Sequence, residues 1–122
     1  MLNPTVEAAT RDFSLKLRAA PPLAGFWRAK ARLEADEEAW GILVELQERQ
    51  QTLMRSQQNG SGVTQEEIDT LRQLQSEAQQ NATITAYVQA QQRAQAFLPE
   101  VNMQISQLLG FDFGSLAGAG GC

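Results

Sequence analysis

Three features of this sequence predict an all-α fold. Proline is confined to positions 4, 21, 22 and 99, and glycine gathers at 60–62 and in 110–122. The stretches between are rich in Ala, Leu, Gln, Glu and Arg, which are strong helix formers. Apolar residues return every three or four positions, and no segment shows the alternation of a half-buried strand. The expected architecture is five helices with a long antiparallel hairpin and a long C-terminal helix, joined in an oligomeric helical bundle.

Each element has its own signal. Asn3 or Pro4 opens the first helix, whose face carries Val6, Ala9, Phe13 and Leu17. Ala20-Pro21-Pro22 ends it, because a residue before proline avoids the helical region. Proline fits a first turn, so a short second helix starts at once, burying Leu23, Phe26, Trp27 and Leu33. Asp36-Glu37-Glu38 is a start signal: the aspartate caps free N–H groups and the glutamates suit the positive helix end. The third helix then runs to about Gln57, with Trp40, Leu43, Leu46, Gln50 and Leu53 along its stripe.

Asn59-Gly60-Ser61-Gly62 reads as a turn. Thr64 and Glu67 have capping-box spacing at the start of a fourth helix, whose face is Ile68, Leu71, Leu74 and Ala78. The short loop makes the third and fourth helices antiparallel neighbours. Asn81 caps the fifth helix, with Ile84, Val88, Leu98, Val101, Ile105 and Leu108 on its stripe. Pro99 falls inside it and predicts a kink or a break. Gly110 is the natural stop. A single helical domain is expected over 1–109, followed by a flexible Gly-rich tail over 110–122, in which LAGAGG is a poor helix former.

Composition narrows the function. The 122 residues include no histidine and one cysteine, Cys122. Without histidine the commonest general base and metal ligand are missing, and neither a Ser-His-Asp nor a Cys-His site can be built. A net charge of −4 disfavours a general nucleic-acid binder. No stretch reaches the roughly 18 apolar residues of a membrane span. No signal peptide is evident, and a lone cysteine suits a reducing compartment. The chain therefore reads as a soluble cytoplasmic protein, and as no enzyme.

Several residues invite a sharper reading. Arg11, Lys16, Arg18, Arg28, Lys30 and Arg32 form a basic zone, and Glu34, Asp36, Glu37, Glu38, Glu45 and Glu48 an acidic one. Either the two zones face each other, within the chain or across a dimer, or the basic one meets RNA or an acidic protein. The acidic residues cluster at helix starts, where caps and dipoles account for them without catalysis. Trp27 and Trp40 lie on apolar stripes, in the core or a subunit contact. With Leu43, Leu46 and Leu53 they make a candidate protein interface. Phe111 and Phe113 join it, either folding back as a plug or meeting a partner. Cys122 is an inert terminal thiol or a tethered ligand or redox group. One thiol cannot hold an iron–sulfur cluster, so a cluster would need copies from other chains.

From Leu33 onward the series resembles the bacterial YlbF/YmcA family of small helical regulators. The resemblance rests on the LEADEEAW cap, LVELQERQQTL in the long helix, and GVTQEEIDTLRQLQSEAQQN across the hairpin. NATITAYVQAQQRAQAFLPEVNMQISQLLG, with its Asn-x-x-Ile-x-x-Tyr entry, completes it, and about residues 4–110 are covered. The resemblance implies a self-associating all-α fold without enzymatic activity. It also implies assembly with family-like helical proteins or a YaaT-like partner, in a complex that promotes developmental programmes and acts with an endoribonuclease. That complex is associated with iron–sulfur clusters, so the resemblance gives Cys122 the role of ligand to a shared cluster.

Overall fold

The computed structural model describes residues 2–118. The expectations for Cys122, and for the tail beyond 118, lie outside the described residues. The described chain holds six helices: α1 (Pro4–Ala19), α2 (Pro21–Ala35), α3 (Glu37–Gln58), α4 (Gln65–Gln80), α5 (Ala82–Leu109) and α6 (Phe113–Gly118). The first five are those the sequence predicts.

The caps follow the predicted chemistry. Asn3 accepts from Thr5 N, with Pro4 in the first turn of α1. Asp36 accepts from Ala39 N at 3.0 Å, Thr64 from Glu67 N at 3.2 Å, and Asn81 from Ile84 N at 3.0 Å. Each satisfies a backbone donor that the first helical turn leaves without a partner. The return bond of the Thr64 capping box is another matter: Glu67 Oε2 is buried without a hydrogen-bond partner among the described residues. α5 runs unbroken through Pro99 to Leu109, so of the two expected alternatives, kink or break, the break does not occur.

The chain divides into two compact units. The first comprises the two chain ends, up to Phe26 and from Ala90 onward, and the second is Trp27–Gln89. The second unit has a small apolar core. Leu33 from α2, Ala39 from α3, Ala78 from α4 and Ile84 from α5 meet there, with Ile42, Leu43 and Tyr87 packed against them. The alanines let the helices approach closely enough for Leu33 and Ile84 to seal the centre. Burying a side chain of that size favours folding by about 1.5–3 kcal/mol. α4 lies along α3 as predicted, and Leu74 is also buried on it. In the first unit the buried residues among those described are Ala90 and Ala94.

Asp36 does more than cap α3. Its Oδ2 accepts the Thr83 hydroxyl at 2.7 Å, tying the start of α3 to the first turn of α5 over the core. The bond from Thr83 and then the one from Ala39 N hold the Asp36 carboxyl below its ordinary 3.8. A depressed carboxyl contributes stability that is present above the ordinary value and lost as pH falls through the folded one. Thr83→Val should therefore lower the melting temperature at neutral pH. The gap from wild type should narrow as pH drops below 3.8. Thermal unfolding monitored by circular dichroism from pH 7 to 3 reads this directly, and a gap independent of pH would contradict it.

The C-terminal segment departs from expectation. Residues 113–118 form α6 rather than a structureless strip. Asp112 explains it, accepting from Ser115 N at 3.3 Å and from Ser115 Oγ at 2.8 Å as a cap. Those bonds, with one from Asn102, lower the Asp112 carboxyl from its ordinary value. Ser106 Oγ accepts from Phe113 N at 2.9 Å, which holds α6 back against α5. Gly110 takes the left-handed φ of 82° that turns the chain there. At Gly114 a Cβ would stand 2.8 Å from Asn102 Oδ1, so a larger residue there would make the Asn102 side chain shift.

Candidate protein interface

Large apolar side chains at the surface are the feature that needs a partner. On α3 the exposed residues are Trp40, Val44 and Met54, which share one side of the helix by the 3.6-residue period. Leu43, Leu46 and Leu53 are half-buried on the adjoining strip. Leu43 and Leu46 form one wall of an apolar groove of about 430 Å³, and Ile84 and Val88 of α5 form the other. Ala78 also lines it, and Gln79, Thr85 and Gln89 are its neutral polar residues. The groove adjoins the core, since Ile84 of its lining is 5% exposed and belongs to the core, while Val88 is 42% exposed at its lip. A groove of this kind suits one apolar face of a helix, with the glutamines free to bond its flanking polar groups.

The predicted interface residues are distributed as follows over the elements. Leu43 and Leu46 come together in the groove. Trp40 is 47% exposed on α3 and Leu53 lies further along the same helix. Trp27 is exposed on α2, where Lys30 Nζ stands 5.1 Å from its ring centroid. That cation lies over the ring face, an attraction that leaves the indole at the surface. Phe111 and Phe113 belong to the other unit. Their segment folds back on α5, yet both rings remain more than two-fifths exposed. The expectation missed Ile84 and Val88 as groove residues, although both were placed on the stripe of the fifth helix. The Asn81 cap, which fixes where that stripe starts, was the available signal.

Charge is answered mostly along the helices. Arg11 meets Glu7 at 3.0 Å, Lys16 meets Asp12 at 3.1 Å, Lys30 meets Glu34 at 4.0 Å and Arg49 meets Glu45 at 3.9 Å. Each pair spans one helical turn at the surface, where such bridges contribute little. Carboxylates Glu45, Glu66, Asp69 and Glu77 line an open furrow between α3 and α4. Among the described residues, no three His, Cys, Asp or Glu side chains are grouped to hold a metal. No helix there is long and apolar enough to cross a membrane.

Known proteins resemble this chain in sequence or in fold. A UPF0342 protein of Streptococcus uberis is 33% identical over 85 residues, covering 70% of this chain and 76% of its own length. A UPF0342 protein of Lactobacillus delbrueckii subsp. bulgaricus is 31% identical over 77 residues, covering 63% and 66%. Bacillus subtilis RicA, in a crystal structure of its complex with RicF, has the same fold. The TM-score is 0.73 at 17% identity, over 89% of this chain and 96% of that one. A protein of unknown function (DUF964) from Bacillus stearothermophilus superposes with a TM-score of 0.58 at 23% identity, over 87% and 93%. Residues 6–109 match the family described as control of competence regulator ComK, YlbF/YmcA, and the chain belongs to that family.

Proposed function

We propose that this protein is a non-catalytic regulatory adaptor that acts by assembling with other helical proteins. The observation that carries the reading is the apolar groove between α3 and α5, a defined place for a partner helix, with Trp40, Val44 and Met54 also exposed on α3. The complex of RicA with RicF supports the same reading, since a protein of this fold was crystallised bound to another protein.

The partner class favoured here is a family-like helical protein, alone or within a larger regulatory or ribonuclease assembly. Gentle affinity capture of the tagged protein from its own cell should recover such a protein in stoichiometric amount. Recovery of neither a helical relative nor a ribonuclease assembly would reject the adaptor reading.

A further inference from the structure

We propose that Asn59 and Gly60 form a self-modifying site, at which the Asn59 side-chain amide is lost and an aspartyl or isoaspartyl residue takes its place. The site lies at the tip of the α3–α4 hairpin. Asn59 ends α3 as its C-cap, and both residues are exposed. Gly60 takes a φ of 69°, and the space where its side chain would stand is open. Gly60 N donates to Gln57 O at 3.3 Å and Ser61 N to Ser56 O at 3.0 Å, the paired bonds of a Schellman cap. The left-handed turn favours glycine there, and glycine is also the neighbour that least hinders attack on an asparagine side chain. The remaining asparagines are each held back. Asn3 precedes Pro4, whose nitrogen carries no proton to give up. Asn81 Oδ1 accepts from Ile84 N at 3.0 Å as the cap of α5, and Asn102 Nδ2 donates to Asp112 Oδ1 at 3.4 Å from within α5.

The chemistry needs water and nothing else. When the cap opens, Gly60 N gives up its proton and attacks Asn59 Cγ. The new N–Cγ bond closes a cyclic imide, the Cγ–Nδ2 bond breaks, and the proton leaves with the amide nitrogen as ammonia. Water then opens the ring at either carbonyl. Opening at Cγ gives aspartate. Opening at the main-chain carbonyl gives isoaspartate, in which the chain runs through Cβ and Cγ. No group is oxidised or reduced. Each product carries a carboxylate where an amide stood, so the net charge of −4 becomes more negative by one. That charge falls at the C-terminal end of α3, the negative end of its dipole. Isoaspartate also lengthens the main chain by a methylene, which takes Gly60 N and Ser61 N out of register with Gln57 O and Ser56 O. The hairpin tip therefore changes one way with the age of the molecule.

Ageing the purified full chain at physiological temperature tests this, and neither result bears on the adaptor reading. Isoelectric focusing should show an acidic species that grows with time, faster in mildly alkaline than in neutral buffer, because the attacking nitrogen must lose its proton. Tryptic mapping should place the mass gain at Asn59 in peptide 56–72. Fragmentation of that peptide should show isoaspartate as well as aspartate, since direct hydrolysis of the amide gives aspartate alone. Asn59→Gln should lose the acidic species over the same period with helical circular dichroism retained, since the longer side chain closes a ring far more slowly. Hydrogen exchange of the aged protein should show protection lost at the amides of Gly60 and Ser61, and unchanged protection would contradict the opening of the cap. A mass gain at Asn81 or Asn102 and none at Asn59 would overturn the site, as would aspartate without isoaspartate. So would an amide that stays intact in the full chain while a synthetic peptide 56–72 converts in the same buffer.

Discussion

Leu33→Ala should lower the stability of the protein by about 2–5 kcal/mol, the range for truncating a buried leucine. Leu33 is 3% exposed and sits at the end of α2, where four helices converge. Its neighbours explain why the loss should be large. Ala39 and Ala78 are too short to swing into the space, and Ile84 is already seated by the Asn81 cap and the Thr83–Asp36 bond. The cavity therefore stays open, and a cavity that cannot collapse adds to the lost transfer energy. Typical domains have only 5–15 kcal/mol in total, so a visible fraction of the chains could unfold at 37 °C. Urea unfolding followed by circular dichroism measures it. Leu15→Ala, at a position 67% exposed, is the control and should stay within about 0.5 kcal/mol of wild type. Equal midpoints for the two variants would show that the core lies elsewhere.

Val88→Glu is expected to abolish hetero-assembly without unfolding the chain. Val88 is 42% exposed at the lip of the groove, so the carboxylate can reach water in the free protein. In a complex the same group would lie beneath a partner helix among Leu43, Leu46 and Ile84. An unpaired charge buried there is strongly unfavourable. At least a 30-fold loss of partner affinity is expected, with α-helical content unchanged. Titration calorimetry with the partner recovered by capture reads it. Unchanged affinity would remove the groove from the interface and leave the exposed strip of Trp40, Val44 and Met54 as the surface to examine.

Most of the fold was legible in the sequence because its signals are local. A cap needs only one polar side chain and the next turn, and Asn3, Asp36, Thr64 and Asn81 all behave as their spacing predicts. α6 was missed because glycine content dominates its propensity. Asp112 with Ser115 three residues on was the overlooked signal, and its anchor to Ser106 is a tertiary contact that no local window contains. Pro99 illustrates the converse: the removed backbone bond predicted at worst a break, yet the apolar register on either side keeps α5 in one piece. The interface residues were legible as stripes and not as a site. Periodicity says that Leu43 and Val88 each belong to an apolar face. Only the packing of α2, α3, α4 and α5 around Leu33 shows that the two line the same groove.

The central claim is that the apolar surface of this chain is covered when the protein works. The most direct measurement is native mass spectrometry of the chromosomally tagged protein, isolated gently from its own cell. The account predicts species heavier than 13.4 kDa plus the tag, with at least two chains of this protein or one chain and a helical partner. A dominant single chain at cellular concentration would contradict it.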